Sequence, residues 1–272
     1  MIIHSDLHMH SEFSHDSHLT LKEIAKVADS IGLCEVGVTD HVNLNDALFL
    51  GNARKSAENV KGFQKTYPKM RLGVELTPIE KPQFEYLTKN KTSEGYVAPE
   101  TPLPFEIELA LSQDDIASLG FEYVIGAAHW RVDVPCAMNL PIDRDAMIKE
   151  WHRQQMYLAC DKRITILGHP WFNGHGVWYE DFKVIPRSMN MELAEALREN
   201  GKYVECNAGV ILSPLATEKF RHQYAEFLRE LFEMGIPVTF GSDAHNIYNP
   251  PIEMTEKYLI AAGFCDGDIA SL

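Results

Sequence analysis

The sequence predicts an α/β protein in which repeated βα units build a parallel sheet. Three observations support this class. Short β-branched runs alternate along the chain with longer segments of helical period. The 272 residues are 45% hydrophobic, which is enough for the core of one large domain, and single α/β barrels commonly have this length. Residue types that bind metals recur where the predicted strands end. We therefore expect one domain over residues 1–272.

Seven segments are predicted to be strands, because each is a short run rich in β-branched residues. They are Ile2–His8, Glu35–Thr39, Arg71–Glu75, Tyr123–Ala127, Ile164–Leu167, Tyr203–Cys206 and Pro237–Phe240.

Helices are predicted between these strands. Leu19–Ile31 carries apolar residues at the spacing of one helical face, with Thr20 as its N-cap and Gly32 as its stop. The same pattern predicts four further helices, at Arg144–Ala159, Asn190–Glu199, Lys219–Met234 and Ile252–Ala262.

Two stretches interrupt the alternation. Thr77–Phe105 holds five prolines and many charges, so we expect an excursion at about residues 77–105 that forms a lid or a hairpin. Phe172–Arg187 is also irregular, and its Lys183 and Arg187 are candidates to face a ligand.

Composition excludes several classes of function. A formal charge of -14 argues against a general affinity for nucleic acid, whose binders usually carry a basic surface. The five cysteines are scattered and form no CxxC pair, which is typical of reduced thiols in a cytoplasmic protein. No signal peptide and no apolar run of about 18 residues is present, so we expect no membrane association.

The first and last strands carry matching ligand motifs. Residues i and i+2 of a strand project to the same side, so His8 and His10 can bind one ion together. Asp243 and His245 repeat this spacing after the last strand. If the sheet closes into a barrel, the two motifs meet. A single His-x-His is weak evidence, but the pair of motifs strongly indicates a metal site.

Four other candidates lie at strand ends. His41, Glu75, His129 and His169 each fall at the C-terminal end of a predicted strand, where α/β barrels carry their active sites. Each alone is more often an ordinary polar residue. Their recurrence favours a cluster of two or three divalent ions. Imidazole and carboxylate ligands without thiolate suit Zn, Mn or Fe.

These residues also carry a family resemblance. The motifs DLHMHSEFSHDS, GVTDH, GVEL, GAAH, LGHP and GSDAH follow one another between Asp6 and His245. Together they resemble the PHP family of metal-dependent phosphoesterases, named for polymerase and histidinol phosphatase members. The resemblance implies a distorted seven-stranded (β/α) barrel of TIM type, with two or three metal ions at its C-terminal mouth.

The resemblance also implies a ligand set. One ion would be bound by His8, His10, Glu75 and Asp243, and Glu75 would bridge to a second ion. The second ion would have His129 and His169, and the third Asp16, His41 and His245. His15 is an alternative to Asp16 at the third site, or a contact to substrate.

Other polar residues are expected to support or use this site. Asp40 adjoins His41 but points the opposite way, so we expect it to orient a neighbour. Glu205 and Asn207 end the sixth strand and are expected to donate or accept hydrogen bonds behind the ligands. Arg131, Arg187 and Lys183 are candidates to hold a phosphate, although solvated loop charge is an equally good interpretation. His175 is a candidate leaving-group acid.

The predicted activity is hydrolysis of a phosphate monoester on a small molecule by a metal-bound hydroxide. Glu75, Asp243 and His245 would form the catalytic centre with His175. L-Histidinol phosphate is the first candidate substrate, because PHP members of this size include histidinol phosphatases. The alternatives are a phosphodiesterase or exonuclease acting on nucleotides, an amidohydrolase-type metal hydrolase, and a noncatalytic metal-binding module.

Overall fold

The computed structural model describes residues 1–43, 47–81, 106–129, 143–172, 174 and 176–272, and only the backbone of residues 47–50. Its strands are β1 (Ser5–Asp6), β2 (Glu35–Val38), β3 (His41–Asn43), β4 (Met70–Thr77), β5 (Ile79–Glu80), β6 (Ile107–Glu108), β7 (Tyr123–Gly126), β8 (Ile166–Leu167), β9 (Tyr203–Asn207) and β10 (Val238–Gly241). Its helices are α1 (Leu21–Ile31), α2 (Ala47–Gln64), α3 (Gln113–Leu119), α4 (Arg144–Cys160), α5 (Arg187–Glu199), α6 (Ala208–Ile211), α7 (Glu218–Glu233) and α8 (Ile252–Ala261).

Seven parallel strands form a nearly closed barrel in the order β1-β2-β4-β7-β8-β9-β10. The ring closes between the first and last strands. Leu7 N donates to Phe240 O at 2.9 Å, and Asp243 N donates to His8 O at 2.8 Å. The predicted TIM-like barrel is therefore confirmed, and all seven predicted strands belong to it. Their ends differ by a few residues from the predicted ones.

The five predicted helices are present. In α1, Thr20 and Glu23 form a reciprocal capping box, and Gly32 ends the helix in the left-handed conformation. α5 begins at Arg187, so this arginine is a helical residue and the prediction that it lies in a loop was wrong. Lys183 lies in a short 3-10 helix, Phe182–Val184.

Three described helices were not predicted. α2 contains Gly51 and Gly62, which lower helix propensity and interrupt its apolar spacing. α3 has only seven residues, too few for a periodic pattern, and depends on a capping box between Ser112 and Asp115. α6 has only four residues, begins after the N-cap Asn207 and is too short for a periodic pattern.

The predicted excursion begins and ends in a short ladder. β5 pairs with β6 in antiparallel register, Ile79 with Glu108 and Glu80 with Ile107. The part of the prediction that concerns residues 82–105 lies outside the described residues. Over the described ranges, no helix has the length and apolar character needed to cross a bilayer.

Tyr123 packs in a small buried cluster with Leu7, Ile125, Ala127 and Ile166. Its hydroxyl donates to Leu7 O at 2.6 Å, and its ring is buried. A Cβ added at Gly37 would lie 1.8 Å from the Tyr123 hydroxyl, and one at Gly73 would lie 2.5 Å from Cζ. These two glycines therefore make room for the ring. Glu75, two residues beyond Gly73, faces the same side of β4 as Gly73.

Candidate metal centre

The barrel brings together the side chains of the nine predicted ligands. His8 and His10 follow β1, and His41 in β3 lies beside Glu75 in β4 as its register partner. The remaining histidines and Asp243 follow β7, β8 and β10. Among the described residues, three groups have ligand atoms within 4.8 Å of one another: His8, His10 and Asp243; Glu75, His129 and His169; and His10, His41 and His245.

The first cluster, which we define as His8, His10, Asp243 and one oxygen of Glu75, has the dimensions of a tetrahedral site. His8 Nε2 lies 3.3 Å from His10 Nε2 and 3.3 Å from Glu75 Oε2. Asp243 Oδ1 lies 3.6 Å from His8 Nε2 and 3.2 Å from His10 Nε2. Ligands about 2.1 Å from a tetrahedral ion are about 3.4 Å apart. The four atoms therefore fit one ion.

Glu75 faces two clusters at once. Its Oε2 lies 3.4 Å from His10 Nε2, whereas its Oε1 lies 3.1 Å from His169 Nε2 and 3.5 Å from His129 Nε2. We call Glu75 Oε1, His129 and His169 the second cluster. A carboxylate with its two oxygens turned to different imidazole groups has the geometry of a bridge between two ions.

The third cluster contains Asp16, His41 and His245. Asp16 Oδ2 lies 3.5 Å from His41 Nε2 and 3.3 Å from His245 Nε2. His15 lies 3.7 Å from Asp16 Oδ1, and its side chain is 51% exposed. These distances favour Asp16 over His15 as the third-site ligand. The His10 ring stacks between those of His41 and His245, with centroids 4.1 and 4.2 Å away.

The ring nitrogens are oriented for binding through Nε2. Four imidazoles place Nδ1 against an atom that is not a predicted ligand atom, so that Nε2 faces the clusters. The pairs are His8 with Glu205 Oε1 at 2.7 Å, His10 with Ser14 Oγ at 3.3 Å, His129 with Thr77 Oγ1 at 2.9 Å and His245 with Asp243 O at 2.8 Å.

Unsatisfied atoms support a cation at this place. Glu75 Oε2 and His41 Nδ1 are buried and lie 2.8 Å apart. Neither atom forms a hydrogen bond of acceptable geometry within the described part of the chain, and the same holds for Asp16 Oδ1. Buried polar groups without partners are costly, and ligation of an ion would satisfy them. The donor set and these atoms together fit divalent ions.

Charges in the cluster are strongly coupled. Burial alone would raise the pKa of Glu75, but the charges of His41, His8 and His129 hold it well below its usual value. Burial likewise opposes ionisation of Asp243, and His8 outweighs it, so its pKa is also low. Both carboxylates are therefore ionised at neutral pH and available to cations.

The histidines divide into two classes. Burial and the charge of His41 lower the pKa of His10 to about 3. Burial also lowers the pKa of His129 to about 3, against the charge of Glu75. For His41 burial acts in the same direction, but the charges of Glu75 and Asp16 prevail and raise its pKa to about 10. A proton thus occupies part of the cluster where a cation would bind.

Exposure is graded across the site. Side chains of His8, His10 and Glu75 are at most 1% exposed, whereas His245 is 29% and Asp16 37% exposed. The third cluster therefore faces the open mouth of the barrel, and the first cluster forms its floor. Phe172 lies at the rim, with its ring 5.0 Å from that of His169.

Two of the predicted ligands have an unusual backbone conformation. His169 has φ 25° and Asp243 has φ 56°, in the left-handed region that non-glycine residues rarely adopt. Such conformations persist where surrounding contacts enforce them, and they concentrate at functional sites.

The expected supporting residues behave as predicted. Asp40 accepts from Ser11 N at 2.6 Å, Ser11 Oγ at 2.8 Å and Ser56 Oγ at 2.6 Å, so it orients the segment after His10. Glu205 contacts His8, and Asn207 Nδ2 donates to Asp243 Oδ2 at 3.2 Å.

Sequence reasoning missed three other supporting residues. Ser14 contacts His10 and also accepts from His41 N at 3.1 Å. Thr77 contacts His129, and Asp6 accepts from Ser242 N at 2.9 Å, which ties β1 to the loop that carries Asp243. Thr77 was detectable as the i+2 neighbour of Glu75 on the same face of β4. The other two carried no comparable signal.

Of the basic residues predicted to bind substrate, two line a separate groove and the third is outside the described residues. Lys183 and Arg187 line a groove together with Asn190, Phe227 and Glu230, and none of the nine predicted ligands lines it. Arg187 pairs with Glu230 at 2.7 Å. The predicted roles of Arg131 and His175 fall on residues outside the described ranges.

Comparison with known proteins gives the same family as the motifs. The PHP domain matches residues 6–209. Histidinol phosphate phosphatase from Lactococcus lactis subsp. lactis, solved with zinc, L-histidinol and phosphate, superposes with a TM-score of 0.67, at 18% identity over 98% of each chain. Ochratoxinase from A. niger gives a TM-score of 0.42 at 13% identity, over 97% of this chain and 67% of that one. No curated protein sequence matches. Because the domain match covers most of its length, the chain belongs to the PHP family.

Proposed function

We propose that this protein is a metal-dependent phosphoesterase that hydrolyses phosphate monoesters of small molecules. The observation that carries the proposal is the position of Glu75, whose two oxygens face two imidazole groups at distances suited to shared ligation. Membership of the PHP family supports the same reaction class. Divalent ions held there would lower the pKa of a coordinated water from about 15.7 toward about 7 and neutralise phosphoryl oxygens.

The protein's own residues would orient and enclose the reacting groups. Asp16 and His245 stand at the open mouth, where a phosphoryl group enters, while the buried floor keeps bulk water away from Glu75. His245 Nδ1 donates to Asp243 O, which fixes its ring with Nε2 3.3 Å from Asp16 Oδ2. The Asp243 side chain is 24% exposed, a value between those of the buried floor and those of Asp16 and His245 at the mouth.

A small phosphate ester is the favoured substrate class. The positive charge of two or three divalent ions would exceed the negative charge of Asp16, Glu75 and Asp243. The pocket would then be locally cationic, although the whole chain has a formal charge of -14. An acidic exterior with a cationic pocket suits a compact anion better than a long nucleic acid. L-Histidinol phosphate is the first compound to test, since it corresponds to the ligands named for the Lactococcus structure.

The test is hydrolysis by the purified protein together with elemental analysis. We expect p-nitrophenyl phosphate to be cleaved faster than bis-p-nitrophenyl phosphate, and a chelator to abolish turnover until Zn or Mn is restored. Preferential cleavage of the diester would favour a phosphodiesterase. Absence of bound metal, or full activity after its removal, would refute the proposal.

Substitution of the bridge sharpens this test. Glu75→Gln should lose activity together with at least one equivalent of metal, because an amide cannot supply two anionic oxygens. The matched control is Glu256→Gln, which changes a buried carboxylate that contacts the backbone of Ile2 and Ile3 below the barrel. Glu75→Gln with full activity and unchanged metal content would contradict the bridging role.

A further inference from the structure

We infer that Glu205 is a positioning residue that couples the first and second clusters, so that one carboxylate controls binding of two ions. The inference rests on the proposed function only in that it takes the clusters to be ion sites. Glu205 lies on β9, which supplies none of the nine predicted ligands. It is 1% exposed, so its two oxygens lie inside the protein and need hydrogen-bond donors there.

Each oxygen of Glu205 serves a different cluster. Oε1 lies 2.7 Å from Nδ1 of His8, a member of the first cluster. Oε2 accepts from the backbone N of His169 at 2.5 Å, and His169 belongs to the second cluster. Asn207 Nδ2 donates to the same Oε2 at 3.2 Å and to Asp243 at 3.2 Å. Three donors therefore converge on one carboxylate.

These contacts determine how both ligands are presented. A proton held on Nδ1 of His8 leaves Nε2, which faces Glu75 and Asp243, as the nitrogen that can bind an ion. The bond to His169 N holds a backbone with φ 25°, a conformation that its own sequence does not favour. Without that bond, His169 would relax and its Nε2 would leave Glu75 Oε1.

The surrounding chain is shaped to admit this carboxylate. A Cβ at Gly241 would lie 1.8 Å from Glu205 Oε1 and 2.5 Å from His8 Cβ. Gly241 has no positive φ, so the absence of a side chain serves the close approach of Glu205 and His8 and not a special backbone conformation.

Glutamine cannot replace Glu205. A carboxylate accepts on both oxygens, whereas a glutamine amide accepts on one and donates from the other. In either orientation the amide NH₂ would face His8 Nδ1 or His169 N. Facing His169 N, it opposes a donor with a donor. Facing His8, it favours the tautomer with the proton on Nε2, which cannot ligate an ion.

The experiment compares Zn²⁺ binding, without substrate, in the wild type and three variants. Glu205→Gln removes the shared acceptor. Thr77→Val removes only the contact to His129 and so touches only the second cluster. Glu256→Gln is the control, because both donors to Glu256 meet the same oxygen, which an amide retains. Zn²⁺ affinity and stoichiometry are measured by chelator competition and elemental analysis, and folding by circular dichroism in chelator.

Glu205→Gln should weaken two equivalents of Zn²⁺ by about 10- to 100-fold, Thr77→Val one equivalent, and Glu256→Gln none. Wild-type affinity for both equivalents in Glu205→Gln, or weakening of only one, would overturn the coupling. If Glu205→Gln does not fold, Gly241→Ala decides, since it displaces the carboxylate without removing it and should weaken the same two equivalents. Zn²⁺ binding with these differences but no phosphate ester cleaved would refute the proposed function and leave the inference intact.

Discussion

Metal binding at the third cluster is predicted to release a proton and to strengthen as pH rises. Burial disfavours the charged ring of His41, but the charges of Glu75 and Asp16 raise its pKa from 6.5 to about 10. Below that pH the metal-free protein therefore keeps a proton on the ring. An imidazole must lose the proton on its ligating nitrogen before it binds an ion.

The size of the effect follows from the difference between the working pH and this pKa. At pH 7 the ring is about three pH units below its pKa, and each unit corresponds to about 1.4 kcal/mol. Displacing the proton then costs about 4 kcal/mol, equivalent to about 1,000-fold in apparent affinity relative to pH 10. Within this window affinity should rise about tenfold for each unit of pH.

The assay is Zn²⁺ competition with a chelator of known pH dependence between pH 6 and 8, together with calorimetry in two buffers of different ionisation enthalpy. The calorimetric difference gives the number of protons released. We expect at least one proton per protein at pH 7. The pKa of His8 is also raised, because Glu205, Asp243 and Glu75 outweigh its burial, so a second proton is expected. A third equivalent of Zn²⁺ that binds equally well at pH 6 and 8, with no proton released, would refute the reasoning.

Three further predictions concern stability and reactivity. Tyr123→Phe should lower the free energy of unfolding by about 1–3 kcal/mol, because Leu7 O stays buried without its donor, and an unchanged urea midpoint would contradict this. Thr20→Ala should lower the free energy of unfolding by about 0.5–2 kcal/mol, because it removes the side-chain cap of α1. Thermal unfolding at several pH values measures this loss. In the native protein a thiol reagent should modify the exposed Cys265 before Cys206, since burial and the charge of Glu205 raise the pKa of the Cys206 thiol. Mass spectrometry of the modified peptides measures the order of labelling, and labelling of Cys206 first would contradict the prediction.

Much of the barrel was predictable because its signals are local. β2, β7 and β10 are short apolar runs, and α1 carries an explicit cap at each end. β3 was not predicted, since its three residues follow β2 after a gap of two and carry no alternating pattern of their own. β3 pairs with the end of β4, His41 with Glu75 and Asn43 with Thr77. The predicted strand ended at Glu75, so the residues that pair with the rest of β3 were not part of it.

The site divides in the same way. The nine predicted ligands could be grouped from the sequence because imidazole and carboxylate side chains recur at strand ends with a defined spacing. Ser14 could not, because hydroxyl residues are frequent and its role depends on where a ring nitrogen points after folding. Thr77 carried only the weaker signal of its i+2 spacing from Glu75. Lys183 and Arg187 illustrate the opposite case, because a charged residue after a strand does not indicate where its side chain will point. Both line a groove that none of the nine predicted ligands lines.

The parallel ladder around Glu75 also limits how this chain can change. Glu75 is paired in register with His41 on one side and Ile125 on the other, and alternate residues of β4 face opposite sides. An insertion of one residue between Met70 and Glu75 would turn the carboxylate out toward the helices and bring a neighbouring apolar side chain among the imidazoles. Length variation among natural or engineered descendants should therefore collect in the connections beyond the ligands and be rare inside β4.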